Sequence, residues 1–345
     1  GNPTFYGISQ KDWDRGAEAM ALFSWTVGIR PHDTVYYCIP FGVWVGAWGY
    51  LHGIDKIGAR QCTAGFVPSE RHIELIQKVK PTIVITTVSG ALVLAEKAKV
   101  LGYDLSKASP WLIIPGAEPG ASYPSVQKSI FEAWGAKVAD VGTMSEMYPP
   151  ETNTMCEERN GMHVYQDEVY TEIVSKENGN ELLPYGSNGV VVYTHLYRDS
   201  QPMIRLWSGD ESFMIDDPCP CGRTYPRLPK GILGRVDDML IIRGVNIYPS
   251  AIEDVLRSIP EIGVEHRIIV EKEKVLDELS VMSNCSPKFY ESLDAAKRTE
   301  QMAALGEEVA NKLRTTFGIR IPVEITPPDT IESVSYTHLR AHETV

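Results

Sequence analysis

Three cysteines and one histidine near the middle of the chain are residue types that bind metal ions. Cys156 and His163 lie seven residues apart, and Cys219 and Cys221 flank a proline in Cys-Pro-Cys-Gly. Three thiolates and one imidazole suit the tetrahedral coordination of zinc, and a set that fills all four positions would be structural. Unpaired thiols are also common as small buried residues. The spacing therefore leaves two interpretations, a zinc site or four core side chains.

Two short loops are candidates for a ligand-binding site. Residues 116–120, Gly-Ala-Glu-Pro-Gly, follow an apolar strand and precede a helix, and residues 140–146, Asp-Val-Gly-Thr-Met-Ser-Glu, follow the next strand. Sheets of parallel strands bind ligands beyond the carboxyl ends of the strands, where both loops would lie. The alternative for the first loop is a tight turn, since Gly and Pro mark turns generally. Two such loops side by side would form one site.

The longest motif is the run at residues 234–249, Gly-Arg-Val-Asp-Asp-Met-Leu-Ile-Ile-Arg-Gly-Val-Asn-Ile-Tyr-Pro. Together with Ile-Arg at 204–205, Gly-Asp at 209–210 and Gly-Ala-Glu-Pro at 116–119, it resembles the adenylate-forming acyl-CoA ligases, most closely the phenylacetate–CoA ligases. The resemblance covers residues 1 to about 333. It implies a two-step reaction, in which a carboxylate attacks the α-phosphate of ATP and the thiol of coenzyme A then displaces AMP.

The resemblance assigns roles to individual side chains. Glu146 would hold Mg²⁺, which offsets charge on the phosphates. Asp210 would accept hydrogen bonds from both ribose hydroxyls, and Arg235 would reach the ribose or the α-phosphate. Asp237 would be the hinge of a C-terminal lid, with a surface ion pair as the alternative for Arg235 and Asp237. The other candidate cofactor-binding residues are Gly116, Ala117, Glu118 and Pro119, whose backbone would line the adenine pocket, with Ser145, Arg243 and Gly244.

The same resemblance bears on the metal ligands and on three departures from the family pattern. It favours structural Zn²⁺ at the cysteine–histidine set, because some phenylacetate–CoA ligase relatives carry Cys and His at matching places.

The departures concern both ends of the chain and one loop. Residues 1–4 resemble only the tail of the family's phosphate loop, and residues 327–331 resemble the approach to a lid lysine that does not follow. Gly-Thr at 142–143 stands where the family has Tyr-Gly. We therefore expect a chain truncated at both ends, with little adenylation activity of its own.

Four aromatic residues follow the first predicted strand in a Gly-rich stretch. Packing of an amphipathic helix against the core is the interpretation that we favour. The alternative is the wall of an aryl-acid pocket, in which small neighbours leave room for a flat ring. The aromatic residues are Phe41, Trp44, Trp48 and Tyr50, and the neighbours are Val43, Gly46 and Gly49.

The pattern of elements predicts an α/β fold with a parallel sheet flanked by helices, an antiparallel β subdomain and a small α+β lid. Up to about residue 150, strands recur roughly every 25 residues with helices between them, which indicates βαβ units. Three strands without intervening helices follow, and the lid begins near residue 234. We expect a large adenylation domain at 1–233, a lid at 234–333, and an adapter-derived artefact at 334–345. The predicted strands are 35–39, 59–63, 82–86, 111–115, 136–141, 163–174, 189–196, 203–215, 239–243, 267–271, 279–283 and 323–326, and the helices are 70–79 with Ser69 as N-cap, 91–101, 123–134, 250–259 and 293–317.

Composition restricts the partners. The 345 residues carry a net charge of −12, which disfavours nucleic acid as a general partner. No stretch reaches the roughly 18 apolar residues of a membrane span, and six cysteines are too few for a disulfide framework, which indicates a reducing compartment such as the cytoplasm. The oligomeric state stays open.

We therefore expect an AMP-forming ligase that activates an aromatic, phenylacetate-like carboxylic acid with ATP and Mg²⁺ and transfers it to coenzyme A. Two alternatives stay open: an adenylyltransferase without a thioester step, and a nucleotide-binding fragment without catalysis.

Overall fold

The structure is a computed structural model, and contacts within it divide the chain into two units, Gly1–Val236 and Asp237–Val345. The domain boundary expected after residue 233 and the artefact expected at 334–345 stay predictions. The described residues are 5–42, 45–65, 67–108, 110–118, 120–142, 144–236, 240–242, 245–273 and 276–331.

A five-stranded parallel sheet with helices between its strands forms the first part of the first unit. The strands are β1 (Thr34–Tyr37), β2 (Arg60–Thr63), β3 (Ile83–Thr86), β4 (Leu112–Pro115) and β5 (Lys137–Val138). The helices are α1 (Gln10–Val27), α2 (Val45–Ile57), α3 (Ser69–Val79), α4 (Val88–Val100) and α5 (Pro124–Trp134). The strand order is β2-β1-β3-β4-β5, with all strands parallel. This is a doubly wound order: β2 is added on one side of β1 and β3 to β5 on the other, so the switch point lies between β1 and β3.

Helix ends explain where the predicted and observed boundaries differ. Helix α4 begins three residues before the predicted start at residue 91, because the hydroxyl of Thr87 accepts a 2.9 Å hydrogen bond from the N–H of Gly90. The prediction of Ser69 as an N-cap is wrong, since α3 begins at Ser69 and is preceded by Pro68, whose side chain makes no cap. Helix α1, which no predicted element covers, has the signals of a helix at both ends: a Ser9 N-cap and a left-handed Gly28 at its C-cap.

The strand predicted at 136–141 is two strands that belong to different sheets. Residues 137–138 pair with β4 in the parallel sheet, whereas β6 (Val141–Gly142) pairs antiparallel with β7 (Asn153–Met155). Between them lies the buried Asp140, whose backbone carbonyl accepts a 3.0 Å hydrogen bond from Met155. The chain therefore leaves the parallel sheet at this residue.

Two four-stranded antiparallel sheets complete the first unit, and the described residues 144–236 contain no helix. The further strands are β8 (Met162–Val164), β9 (Val169–Val174), β10 (Gly189–His195), β11 (Leu206–Ser212), β12 (Arg227–Leu228) and β13 (Gly234–Arg235). Their orders are β12-β8-β7-β6 and β13-β11-β10-β9. The antiparallel subdomain predicted from the sequence is thereby confirmed.

The second unit is a small α+β structure with its own apolar core. Its elements are β14 (Leu240–Ile242), β15 (Val245–Ile247), α6 (Pro249–Arg257), β16 (Ile262–Glu273), β17 (Leu276–Cys285), α7 (Pro287–Ser292), α8 (Arg298–Phe317) and β18 (Val323–Thr326). Strand β17 pairs antiparallel with β16 and parallel with β18. The helix predicted at 293–317 begins later, as α8 at Arg298, and the short helix α7 precedes it. The predicted fold class is confirmed, and no helix among the described residues is long and apolar enough to cross a membrane.

Candidate functional site

The loop after β4 is fixed to the start of helix α4 by one carboxylate. Glu118 accepts hydrogen bonds from the backbone N–H and the hydroxyl of Ser89, at 2.8 and 2.6 Å. Ala117 has a φ of 66°, and the N–H of Gly116 donates to the carbonyl of Thr86 at the end of β3. The Glu118 side chain is therefore occupied by Ser89. A ligand at this loop would contact its backbone, which is the contact that the adenine-pocket prediction assumes.

Asp140 joins the two loops that the sequence places at one edge of the sheet. Its carboxylate accepts a hydrogen bond of 2.5 Å from the hydroxyl of Ser122, which follows the first loop. Burial raises the pKa of Asp140 to about 6, although hydrogen bonds from Ser122 and Val141 oppose that rise. A Cβ atom on Gly231, whose φ is 68°, would lie 2.6 Å from the Asp140 carboxylate, so a larger residue would strain the backbone and displace Asp140 or Ser122. The two candidate loops are therefore neighbours.

The loop that carries Ser145 and Glu146 is held by its backbone. Ser145 is exposed and Glu146 half-buried. The carbonyl of Glu146 accepts a 3.1 Å hydrogen bond from the guanidinium of Arg198, and the N–H of Tyr148 lies 3.0 Å from Nε2 of His195. The Glu146 carboxylate is thus carried on a loop whose main chain is anchored on both sides of Met147.

Burial also determines the charge of His195. It lowers the pKa of His195 to about 4, and Nδ1 lies 2.9 Å from the N–H of Met203. Both ring nitrogens face backbone N–H groups, which disfavours a second ring proton and agrees with a neutral imidazole. A neutral imidazole has one acceptor nitrogen, so His195 accepts a hydrogen bond from only one of these two N–H groups. The sequence offered no partner for His195, because Tyr148 lies 47 residues away.

Asp210 and Arg235 occupy paired positions on neighbouring strands. They face each other in the register of β11 and β13, with 3.5 Å between Oδ1 of Asp210 and Nη1 of Arg235. Nη1 also donates to the carbonyl of Ser208 at 3.1 Å. The Asp210 side chain is 13% exposed and that of Arg235 is 43% exposed. The structure therefore brings these two candidate residues together, and the ion pair considered for Arg235 forms with Asp210.

Four candidate site residues lie outside the described residues, and their assigned roles stay predictions. They are Pro119, Asp237, Arg243 and Gly244.

Three aromatic side chains form a ladder at the carboxyl end of β1. Tyr37 and Phe41, and then Phe41 and Trp48, lie edge to face with 5.3 Å between ring centroids. Tyr37 is buried, whereas Phe41 and Trp48 are partly exposed. The room expected at Gly49 is already taken, because a Cβ there would lie 2.2 Å from Pro150. Tyr50 is buried in the core as we favoured, and Val43 and Trp44 lie outside the described residues.

The four predicted metal ligands converge. The ligand atoms of Cys156, His163, Cys219 and Cys221 all lie within 4.8 Å of one another. The sulfurs of Cys156 and Cys219 are 3.8 Å apart, and Sγ of Cys221 is 3.4 Å from Nε2 of His163. With zinc–sulfur bonds of about 2.3 Å and zinc–nitrogen bonds of about 2.0 Å, tetrahedral ligands lie roughly 3.8 Å (S to S) and roughly 3.5 Å (S to N) apart. The donor set and its spacing fit a zinc ion.

The protonation states at this cluster also suit a metal. Burial lowers the pKa of His163 to about 4, which keeps the imidazole neutral and its lone pair available. Burial would raise the pKa of the Cys221 thiol, but hydrogen bonds from Arg223 hold it below its ordinary value. Burial raises the pKa of Cys156 to about 12, so this thiol needs a metal to ionise near neutral pH.

A buried arginine joins the two segments that carry these ligands. Arg227 is 1% exposed, and its guanidinium donates to the carbonyl of Asn160 and, at 3.1 and 2.9 Å, to the carbonyl and carboxylate of Asp217. Asn160 lies in the turn between Cys156 and His163, and Asp217 comes two residues before Cys219. This contact, which no local sequence pattern indicates, holds the two ligand pairs in place.

Comparison with known proteins identifies the class. Residues 244–342 match the family model described as "AMP-binding enzyme C-terminal domain". The structure resembles that of 2-hydroxyisobutyryl-CoA ligase in the postadenylation state with 2-HIB-AMP, at 39% identity and a TM-score of 0.91 over 98% of this chain and 71% of that chain. The fold is thus that of the adenylate-forming acid–CoA ligases.

Curated relatives define the family within that class. The phenylacetate-coenzyme A ligase of Thermus thermophilus is 33% identical over 336 residues, which cover 95% of this chain and 75% of that protein. The enzyme of the same name from Aromatoleum evansii is 31% identical over 337 residues, which cover 97% of this chain and 74% of that protein. The chain belongs to the phenylacetate–CoA ligase family and is an AMP-forming acid–CoA ligase, as the sequence motifs predict.

Proposed function

We propose that this ligase activates an aromatic carboxylic acid of the phenylacetate class. The observation that carries the proposal is the ladder of Tyr37, Phe41 and Trp48, because a flat ring would find edge-to-face partners on its exposed members. The ladder follows β1, which lies next to β3, and β3 pairs in turn with β4, after which the Gly116 loop begins. The acid and the nucleotide would then meet at one edge of the sheet. The names of the curated relatives support the same substrate class.

A second candidate substrate is a short, branched 2-hydroxy acid. The solved 2-hydroxyisobutyryl-CoA ligase is 39% identical to this chain, more than the 33% of the Thermus thermophilus relative. A pyrophosphate-release assay of the protein from the complete gene, with phenylacetate, benzoate and 2-hydroxyisobutyrate, separates the candidates. We expect the aryl acids to be used at much lower concentration. Use of 2-hydroxyisobutyrate alone would overturn the aryl proposal.

Substitution of one ladder residue ties the substrate to the ladder. Trp48→Ala should raise the KM for the aryl acid by about tenfold, since an aromatic pair and its buried area contribute about 1 kcal/mol or more. The matched control is Trp25→Ala. Trp25 is similarly exposed, but it lies on helix α1 and its ring packs against the guanidinium of Arg30. An equal effect of both substitutions would remove Trp48 from the acid site.

For the nucleotide, we propose the following division of roles. The backbone of residues 116–119 lines the adenine pocket, and Asp210 accepts hydrogen bonds from the ribose. Glu146 is the carboxylate for Mg²⁺, a cation that commonly takes one or two protein carboxylates and completes its shell with phosphates and water. Arg235, next to Asp210, supplies positive charge toward the ribose or α-phosphate. Ser145, Arg243 and Gly244 are further contacts, Asp237 is the hinge, and coenzyme A is the acceptor.

We further propose a structural Zn²⁺ held by Cys156, His163, Cys219 and Cys221. The match of donor types and of the S–S and S–N distances supports it. When bound, the ion would join the β7–β8 turn to the segment before β12. We also propose a cytoplasmic location, which agrees with six cysteines that form no disulfide. The acidic net charge argues against nucleic acid as a partner.

A further inference from the structure

A buried arginine outside the predicted site holds the main chain on which Glu146 is carried. Arg198 is 7% exposed and lies between strands β10 and β11. Its Nη1 donates to the carbonyl of Glu146 at 3.1 Å, and its Nη2 donates to the carbonyl of Gly7 at 3.0 Å. The planar fork of a guanidinium can span two fixed carbonyls, which the single nitrogen of lysine does not do with the same geometry. Arg198 therefore joins the Glu146 loop to the segment that precedes helix α1.

The segment that contains Arg198 is itself fixed at its next residues. The carboxylate of Asp12 accepts 2.9 Å hydrogen bonds from the N–H groups of Asp199 and Ser200 and a further one from the Ser200 hydroxyl. Burial alone would raise the pKa of Asp12, but these hydrogen bonds hold it far below its ordinary value. Asp12 thus stays ionised. Burial lowers the pKa of Arg198 below its ordinary value, and the nearby charge of Asp12 opposes that fall.

His195 lies against the same loop. Arg198 donates to the carbonyl of Glu146, and Nε2 of His195 lies 3.0 Å from the N–H of Tyr148, so residues 195–198 contact the loop backbone on both sides of Met147. Within the described part of the chain, neither Arg198 nor His195 forms a hydrogen bond with the carboxylate of Glu146, and their contacts with the loop are to its backbone. Both contacts act on the position of the loop backbone.

We propose that Arg198 is a positioning residue for magnesium, through its hold on the backbone of Glu146. The proposal rests on the proposed role of Glu146 in binding Mg²⁺. Removal of the outer partners of metal ligands typically lowers metal affinity about 10–100-fold, because the ligand is no longer held where the metal needs it. We expect Arg198 to matter for nucleotide binding with Mg²⁺ and much less without it.

Calorimetry with a non-cleavable nucleotide tests this without turnover. The affinity of the protein from the complete gene for α,β-methylene-ATP is measured with Mg²⁺ and with excess chelator, for wild type and Arg198→Gln. We expect Mg²⁺ to tighten binding in wild type, and we expect Arg198→Gln to lose about tenfold or more of that gain. The nucleotide affinity without Mg²⁺ should change less than about threefold. A full Mg²⁺ gain in the variant would overturn the inference.

The matched control is Arg15→Gln. Arg15 lines the same small cavity as Arg198 and pairs with Glu168 at 2.6 Å. Among the residues that the structure describes, it forms no hydrogen bond with Glu146 or Gly7. It should keep the wild-type Mg²⁺ gain, and an equal loss in both variants would contradict a specific role for Arg198. If thermal melting shows that Arg198→Gln is unfolded, Arg198→Lys replaces it. Lysine keeps the positive charge beside Asp12 but lacks the guanidinium fork, and the same loss of the Mg²⁺ gain is expected.

The outcome in wild type separates this inference from the proposal on which it rests. If Mg²⁺ does not tighten nucleotide binding in wild type, or if Glu146→Gln keeps the whole gain, the magnesium role of Glu146 is wrong. If both behave as proposed and Arg198→Gln matches wild type, only the role of Arg198 is wrong.

Discussion

The carboxylate of Asp210 lies 3.5 Å from the guanidinium of Arg235, at directly paired positions of two antiparallel strands. The pairing places an acceptor suited to ribose hydroxyls beside a cation suited to phosphate. Arg235 is also the second residue from the end of the first unit, so the pair stands where the chain passes toward the second unit.

Removal of the Asp210 carboxylate should weaken nucleotide binding. Hydrogen bonds to charged groups contribute roughly 1.5–3 kcal/mol, so Asp210→Ala should lower the affinity for ATP by roughly 10–100-fold, measured by calorimetry. The matched control is Glu172→Gln, because Glu172 pairs with Arg205 at 3.1 Å on the same sheet with nearly the same exposure. Unchanged affinity in Asp210→Ala would remove the residue from the nucleotide site.

Zinc should accompany the purified protein at about one ion per chain. Cys219→Ser should lose the metal and lower the melting temperature, since loss of one thiolate leaves an incomplete tetrahedral set. Cys285→Ser is the control, because Cys285 is a buried free thiol in the second unit. Elemental analysis of protein purified without chelator provides the measurement. A metal-free protein, or equal zinc in both variants, would return the four residues to the alternative of buried thiols.

The buried carboxyl of Asp140 should make stability depend on pH. Its pKa of about 6 exceeds the ordinary 3.8, so the folded state holds a proton that the unfolded chain has lost, and stability falls as the pH rises through this range. Relative to wild type, Asp140→Asn should gain stability with rising pH, by up to about 3 kcal/mol over the whole titration. Urea unfolding from pH 4 to 8 measures the difference, with exposed Glu132→Gln as control. A pH-independent difference for Asp140→Asn would contradict the shifted pKa.

The fold could be predicted from local patterns more fully than the site. Strand β18 has the predicted bounds, 323–326, because an alternating run ends at two prolines. Helix α6 lies within one or two residues of its prediction, with Pro249 at its first position. Where the pattern failed, at Asp140, a buried contact with Met155 redirects the chain, and no window of neighbouring residues contains that information.

The contacts that hold the site join residues far apart in sequence. Glu118 reaches Ser89 across 29 positions, and Arg198 reaches Glu146 across 52. Residue types and motifs could identify Glu118 and Glu146 as candidates, since both follow predicted strands. No local sequence pattern marks their partners, Ser89 and Arg198, so only the folded structure reveals these two contacts.

The reaction products test the central claim most directly. The protein from the complete gene is incubated with phenylacetate, ATP, Mg²⁺ and coenzyme A, and the nucleotide and acyl products are identified by chromatography and mass spectrometry. We predict equal amounts of AMP, pyrophosphate and phenylacetyl-CoA, with acyl-adenylate when coenzyme A is omitted. ADP with phosphate, or AMP release without any thioester from any aryl acid, would contradict an AMP-forming aryl acid–CoA ligase.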